Sequence, residues 1–328
     1  MRSVGDIQRI DASEAIGIEE NIARETPIII SGAVENWRVY LKWTPAALLN
    51  HLGAAKVAFR HSPTDIHPEI SASGEFLQLD NQVRSLGEYL TLMSESPNVF
   101  LDANLVCLAS RRGKVNQELA PLLSDVELPY FIREADVDTV GLWLSGKGVK
   151  TRLHYDRNGR NNFNAQIAGQ KDFVLVPPDE FKKLYPFSID SPIFNFTRVN
   201  NYDPDLDKFP LFSQVIGYQG TLREGDLLFL PAFWYHSFTH RGEFIFNINF
   251  WCDATQVRMT AVALRHELAT ILQTSALAAG ISTDGSDERW RNLLRQVEQS
   301  CLKWTPQRAT GDEVNELARH GEPARKYC

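Results

Sequence analysis

The sequence predicts a mainly β protein with flanking helices: a β-sandwich or jelly-roll core, led into by a short α/β element and followed by a helical C-terminal extension. Three observations carry this expectation. Between Thr139 and Trp251 the chain breaks into short runs, Val140–Leu144, Asn164–Ile167, Phe173–Val176, Asp226–Leu230 and Glu243–Phe250, punctuated by Gly, Pro, Asn and Asp. Regularly spaced short strands between turn signals favour a sandwich or jelly roll. After Trp251 the period changes, and Val257, Ala261, Leu264, Leu268 and Leu272 recur at the helical spacing of three and four. Before Thr139 the pattern is mixed, which supplies the α/β lead-in.

In chain order, the lead-in reads as a helix over Glu14–Arg24, a buried strand over Pro27–Ile30, a turn at Ser31-Gly32, and a helix after Trp43 with Thr44 as N-cap and Pro45 as its first residue. A helix near Ser85–Met93 and an apolar run over Val99–Leu108 follow. Beyond the β region, a second C-terminal helix is expected from Ser286, with Asp287 and Glu288 in its first turn and Trp290, Leu293, Leu294, Val297 and Cys301 on one face. The last residues, with Gly311, Gly321 and Pro323, read as loosely ordered. Two units result: residues 1–253 as one domain with its N-terminal element, and 254–328 as the helical extension.

Composition narrows the function classes. With 43% hydrophobic and 23% charged residues the chain has the profile of a soluble globular protein, and no apolar stretch approaches the length of a membrane span. The opening residues MRSVGDIQRIDASEAIG lack the apolar core of a signal peptide, so a cytoplasmic location is the expectation. Cys107, Cys252, Cys301 and Cys328 are scattered without a C-x-x-C pair, against a disulfide framework or a thiolate zinc site. A net charge of −7 with a pI near 5.7 disfavours a nucleic-acid partner.

The chemistry-bearing residues begin with His154-Tyr155-Asp156. On a strand, residues two apart project to one face, so an imidazole and a carboxylate can share one ion. The pair alone is weak: with eight histidines and many aspartates, such a triplet arises readily by chance. His236 adds weight, ending the aromatic run Leu230-Pro231-Ala232-Phe233-Trp234-Tyr235. Alone, a histidine among aromatics is more often a packing residue than a ligand. Two histidines and one carboxylate together match the facial triad that leaves adjacent positions open on Fe(II). Between them, Lys171 immediately precedes an apolar strand. Facing inward it would require an anion, whereas facing outward it would be an ordinary edge lysine.

The run TRLHYDRNGRNNFNAQIAGQKDFVLVPPDEFKKLYPF, then NYDPDLDKFPLF, EGDLLFLPAFWYHSF and NINFW, resembles the JmjC-type cupin oxygenases, and within them the asparaginyl hydroxylase that inhibits hypoxia-inducible factor. The resemblance covers roughly Pro27 to Trp251. It implies a double-stranded β-helix core, Fe(II) held by His154, Asp156 and His236, dioxygen as oxidant, and 2-oxoglutarate as co-substrate anchored by Lys171 with help from Thr151. It also implies that Asn162 and Asn249 lie near co-substrate and metal, that Trp251 lines the substrate groove, and that the two C-terminal helices join a homodimer.

Departures from that pattern are specific. Phe100 stands where the asparaginyl hydroxylase has a tyrosine on the distal carboxylate, and Asp102 where it has a substrate-contacting glutamine. The loop after Asp156 is two residues longer, and Asn195-Phe196 replaces an Arg-Gln pair that reads the substrate amide. The substrate expected by resemblance is a peptide or protein side chain, ahead of a small molecule, with a modified tRNA base third because of the charge. N-demethylation is the variant outcome, and a non-catalytic metal-binding cupin is the rival from another class.

Overall fold

The computed structural model describes residues 2–3, 5–14, 18–62, 64–71, 80–96, 99–106, 115–157, 159–189, 191, 193–254, 260–278 and 288–303. At its centre two long strands, Asn161–Val176 and Tyr235–Cys252, pair antiparallel along nearly their whole length. The sequence suggested separate short runs here, and the difference has a physical cause. Gly169 has a φ of +72°, a conformation open to glycine, and the register shifts on both sides of Ala168. What reads as a turn in Gly169-Gln170-Lys171-Asp172 is a bend within one strand. Before the bend the strand pairs with Leu227–Leu230, and after it with Ile216–Leu222. The partner strand bends at Gly242, φ +103°, so both strands serve two facing sheets. This is a double-stranded β-helix, or jelly roll.

The larger sheet continues from Tyr235–Cys252 through Val137–Ser145 and Val99–Val106 to Lys56–His61 and Asp80–Ser85. On its other side Leu227–Leu230 pairs with Ile28–Ser31, which brings the N-terminal element into the same sheet. Alternation then sorts the side chains. Phe163, Ala165 and Ile167 join Phe246, Ile248 and Phe250 in the main core beneath the N-terminal helices. Asn162, Asn164, Asn247, Asn249 and Trp251 lie on the opposite face, which lines a cavity between the sheets.

Local signals behave as their chemistry requires. Thr44 accepts from the Ala47 N–H at the start of helix Pro45–Leu52, and Ser85 forms a reciprocal capping box with Glu88 at the start of helix Leu86–Glu95. The first helix is shorter than expected, a 3-10 turn over Ala12–Glu14 and then Ile18–Ala23, with 15–17 outside the described residues. Strands Lys56–His61 and Ile216–Leu222 carry no apolar run strong enough to announce them.

The C-terminal helices, Ala261–Ala278 and Glu288–Lys303, pack against each other and against the chain's own jelly roll, where Val262, Ala263, Ala269, Trp290 and Leu294 meet Tyr155, Phe181 and Phe194. The inner face of the first helix is not the stripe the spacing singled out. It is Val262, Ala263, Arg265, His266 and Ala269, while Leu264, Leu268 and Leu272 are half-buried on its flank. Arg265 is drawn inward because it meets the Phe187 and Phe194 carbonyls and Glu298, so an arginine sits where an apolar pattern would not put one. On the second helix Trp290, Leu294 and Cys301 are buried and Leu293 is exposed. Val257, residues 286–287, Cys107, Cys328 and the stretch from Gly311 to Pro323 lie outside the described residues, and Cys252 and Cys301 are buried free thiols. Among the described residues no helix is long and apolar enough to cross a membrane.

The bend is testable. A Cβ on Gly169 would fall 2.5 Å from both the Phe244 carbonyl oxygen and Ile245 Cδ1, in a backbone conformation that side chains disfavour. Gly169→Ala is therefore expected to cost about 2 kcal/mol or more of unfolding free energy in urea denaturation. An unchanged midpoint contradicts the bend as described.

Candidate metal and co-substrate site

The two histidines meet because their backbones do. His154 and His236 form an antiparallel bridge, with His154 N–H donating to the His236 carbonyl at 3.1 Å and His236 N–H to the His154 carbonyl at 2.7 Å. Residues opposed in this way project side chains to the same side. The ring centroids are 4.4 Å apart. Asp156, two residues on, brings Oδ1 to 3.9 Å from His154 Nε2 and 3.6 Å from His236 Nε2. One ligand atom from each of the three lies within 4.8 Å of the others.

Every other polar atom of the triad is already engaged. His154 Nδ1 donates to the Arg152 carbonyl at 2.7 Å and His236 Nδ1 to the Trp234 carbonyl at 3.0 Å. A carbonyl can only accept, so each Nδ1 carries the hydrogen and each Nε2 presents its lone pair to the centre. Asp156 Oδ2 accepts from Trp251 Nε1 at 2.8 Å and Asn162 Nδ2 at 3.0 Å, which leaves Oδ1 to face the histidines. Burial, reinforced by His236, pushes His154 down to about 4, so it is neutral at physiological pH. Burial works against ionised Asp156, but the two imidazoles, Trp251 and Asn162 outweigh it and hold the carboxyl below its usual range. One carboxylate oxygen and two imidazole nitrogens form a donor set suited to a divalent transition metal, and outer partners of this kind orient the ligands.

The segment behind the triad is also specific. Phe196 stacks on the His154 ring at 4.8 Å and 14°, and Asn195 Nδ2 donates to the Tyr155 carbonyl at 2.7 Å. Asn195-Phe196 thus braces the ligand-bearing turn.

Deeper in the cavity lies Lys171, 3% exposed. Its ammonium donates to Asn247 Oδ1, Asn247 Nδ2 donates to Asn249 Oδ1, Asn249 Nδ2 donates to Asn162 Oδ1 at 2.8 Å, and Asn162 reaches Asp156. The two ends set the direction of the chain, because an ammonium only donates and a carboxylate only accepts. Three asparagines therefore transmit one polarity from the lysine to the metal-facing acid. No carboxylate among the described residues pairs with Lys171, and burial holds its ammonium well below the usual lysine range. A buried cation without an anion is costly, so an anionic group placed in the cavity beside Lys171 would be favoured. Thr151 Oγ1 accepts the Phe238 N–H at 2.8 Å, which leaves its hydroxyl hydrogen free to be donated elsewhere. Phe100, Trp143, Phe238 and His240 line the same cavity.

The structure thus gathers His154, Asp156, His236, Lys171, Thr151, Asn162, Asn249 and Trp251 at one cavity. Asn162 and Trp251, expected against co-substrate and substrate, both grip Asp156. Asp102 lies on strand Val99–Val106 opposite Trp143, and its side chain is outside the described residues. Sequence reasoning did not single out Asn247, Asn164 or His240. The signal for the asparagines was available: they alternate with Phe and Ile in NNFNAQI and FNINFW, a polar face on an otherwise buried strand.

Comparison with known proteins agrees with this geometry. The cupin-like domain matches residues 13–257, most of the chain. The chain belongs to the cupin-like domain family. Among the proteins it is similar to, it is 25% identical to lysine-specific demethylase 8 of Xenopus tropicalis, over 69% of this chain and 48% of that protein. It is 33% identical to the tRNA wybutosine-synthesizing protein 5 of Mus musculus, over 42% of this chain and 41% of that protein. It is 24% identical to the JmjC domain-containing protein D of Dictyostelium discoideum, over 66% and 49%. The chain spans about half the length of the curated relatives it matches.

Trp251→Phe removes one of the two donors to Asp156 Oδ2 while keeping the ring. It is expected to weaken Mn(II) or Co(II) binding about tenfold in calorimetric titration with little change in melting temperature. Unchanged metal affinity contradicts the role assigned to the indole N–H.

Proposed function

We propose that this cupin is an Fe(II)- and 2-oxoglutarate-dependent dioxygenase that hydroxylates an unactivated carbon of a peptide or protein side chain. The observation that carries the reading is the joining of two sites by one hydrogen-bond chain. Three ligand atoms converge with the other polar atoms of their side chains engaged, and a buried ammonium in the same cavity has no acidic partner among the described residues. His154, Asp156 and His236 would hold the iron, and Lys171 with Thr151 would hold the distal carboxylate of 2-oxoglutarate. Bound there, iron, 2-oxoglutarate and dioxygen supply the oxidation, one oxygen atom ending in succinate as CO2 leaves and the other in the substrate.

The protein's own contribution is orientation and dryness. Lys171 neutralises the carboxylate in a buried setting where such a contact is strong, and Thr151 donates beside it. The Nδ1–carbonyl bonds and the Trp251 and Asn162 bonds fix the direction of the three ligand atoms that would hold the metal. Phe100, Trp143 and Phe238 keep water from that space. On the substrate side we assign contacts to Trp251 and Asp102. If the carbon is a methyl on nitrogen, hydroxylation gives a hemiaminal that releases formaldehyde, the demethylase variant of the same step. Residues 1–253 are the oxygenase unit in this reading, and 254–328 its extension.

A modified tRNA base is a second reading, favoured by the likeness to the wybutosine-synthesizing proteins and opposed by the net charge of −7. Turnover of 2-oxoglutarate with peptide, metabolite and tRNA pools separates these substrates. A cupin that only binds metal would take up Fe(II) without consuming 2-oxoglutarate.

The purified protein is expected to bind one Fe(II) per chain, and His154→Ala or Asp156→Ala to abolish 2-oxoglutarate decarboxylation. Full activity in either variant overturns the triad. Lys171→Ala should raise the KM for 2-oxoglutarate far more than it changes iron affinity, since it leaves a buried carboxylate unpaired. Equal effects on both would make Lys171 a support of the fold.

We also propose a homodimer through the C-terminal helices. Beyond their buried faces these helices keep half-buried Leu264 and Leu268, and Ile271 and Leu293 are 56% and 44% exposed. Leu264→Glu with Leu268→Glu should then yield a soluble monomer by light scattering. A wild-type monomer at micromolar concentration defeats this part alone.

A further inference from the structure

One wall of the cavity is unexpectedly basic. His240 stands directly opposite Lys171 in the ladder between the two long strands, so the two side chains leave the sheet on the same face, with Cβ atoms about 5 Å apart. Both are 3% exposed and both line the cavity that holds the metal triad. The His240 backbone is pinned on both sides, its N–H donating to the Val149 carbonyl at 2.8 Å and its carbonyl accepting from Gly148 N–H at 3.0 Å. On the ring, Nδ1 is taken by the hydroxyl of Ser145, itself 1% exposed. That leaves Nε2 for whatever the cavity contains. The Phe100 ring lies 6.0 Å from the His240 ring, 5.3 Å from His67 and 5.1 Å from Trp143, so this wall offers no phenol, and of the two imidazoles His240 is the one that lines the cavity.

Resting on the co-substrate reading above, we propose that His240, aimed by Ser145, is the second donor that seats the distal carboxylate of 2-oxoglutarate next to Lys171. A hydroxyl can donate or accept; in the proposed arrangement Ser145 donates to Nδ1, which puts the hydrogen on Nε2, the atom that must donate to a carboxylate. Burial, with Lys171 and His67 close by, holds the imidazole well below its usual range, so it adds a donor beside the ammonium without adding like charge. His240 is thus a positioning and specificity residue: it favours oxoacids that carry a second carboxylate over those that do not.

The test is binding of two oxoacids to Mn(II)-loaded protein without oxygen. 2-Oxobutyrate has the chelating head of 2-oxoglutarate and no distal carboxylate. His240→Phe is expected to weaken 2-oxoglutarate about tenfold or more, the worth of a hydrogen bond to a charged group, and to leave 2-oxobutyrate within about twofold. His240→Gln, which keeps a donor, should recover most of the loss, and so should Phe100→Tyr added to His240→Phe. Unchanged Mn(II) affinity serves as the control for folding, and the glutamine variant carries the test where phenylalanine disturbs packing. Equal weakening of both oxoacids by either substitution, no weakening of 2-oxoglutarate by His240→Phe, or a loss in His240→Gln as large as in His240→Phe, overturns the assignment of His240 alone. Wild-type protein that binds neither acid overturns the co-substrate reading, and this proposal with it.

Discussion

The ammonium of Lys171, buried with no carboxylate partner among the described residues, is the constraint to which the centre of this molecule answers. Desolvating a cation costs several kcal/mol unless something compensates, roughly the size of a whole domain's stability margin. Asn247 compensates in part with its carbonyl oxygen, then passes the polarity through Asn249 and Asn162 to Asp156. In the proposed function the two ends of this chain would receive a carboxylate at the lysine and a divalent metal at the aspartate. Because the amides can point only one way between a donor and an acceptor, losing either end leaves a buried amide without a partner. The two binding events would then be coupled through asparagines that line the same cavity.

Backbone geometry makes the arrangement repeatable. The triad is assembled by a bridge between His154 and His236, and the lysine wall by the ladder pair Lys171 and His240, both involving one strand, Tyr235–Cys252. Functional groups set on paired strands inherit the precision of the ladder. The bend at Gly169 lets the asparagine arm and the lysine arm of the neighbouring strand face the same cavity from different sheets. Apolar residues on the outer face of the same strands bury themselves in the main core, so the stability of the jelly roll and the position of the site come from one set of residues.

Much of this was legible in the residues. The jelly roll followed from evenly spaced short strands, the caps at Thr44 and Ser85 from side-chain chemistry, and the H-x-D pair with His236 from ligand type and spacing. What escaped had physical reasons. Gly169-Gln170-Lys171-Asp172 has the composition of a turn, and only the long-range pairing shows it to be a bend within one strand. Asn247 lies in the run read as a strand, Glu243–Phe250, where its alternation with phenylalanine and isoleucine was the overlooked signal. His240 gave no signal at all, since its meaning comes from the residue opposite it in the ladder, Lys171. On the first C-terminal helix the apolar stripe pointed to the flank because a buried Arg265, satisfied by carbonyls and Glu298, took an inward position.

The most direct test of the account is spectroscopic and requires no substrate. Fe(II) added anaerobically to protein with 2-oxoglutarate should produce a visible charge-transfer absorption from oxoacid chelated to iron at a stoichiometry of one per chain. Asp156→Ala should abolish the band, and Lys171→Ala should require much more 2-oxoglutarate to reach it. A wild-type protein that binds Fe(II) yet gives no such band at saturating 2-oxoglutarate would contradict the central claim that the triad and Lys171 form a single site.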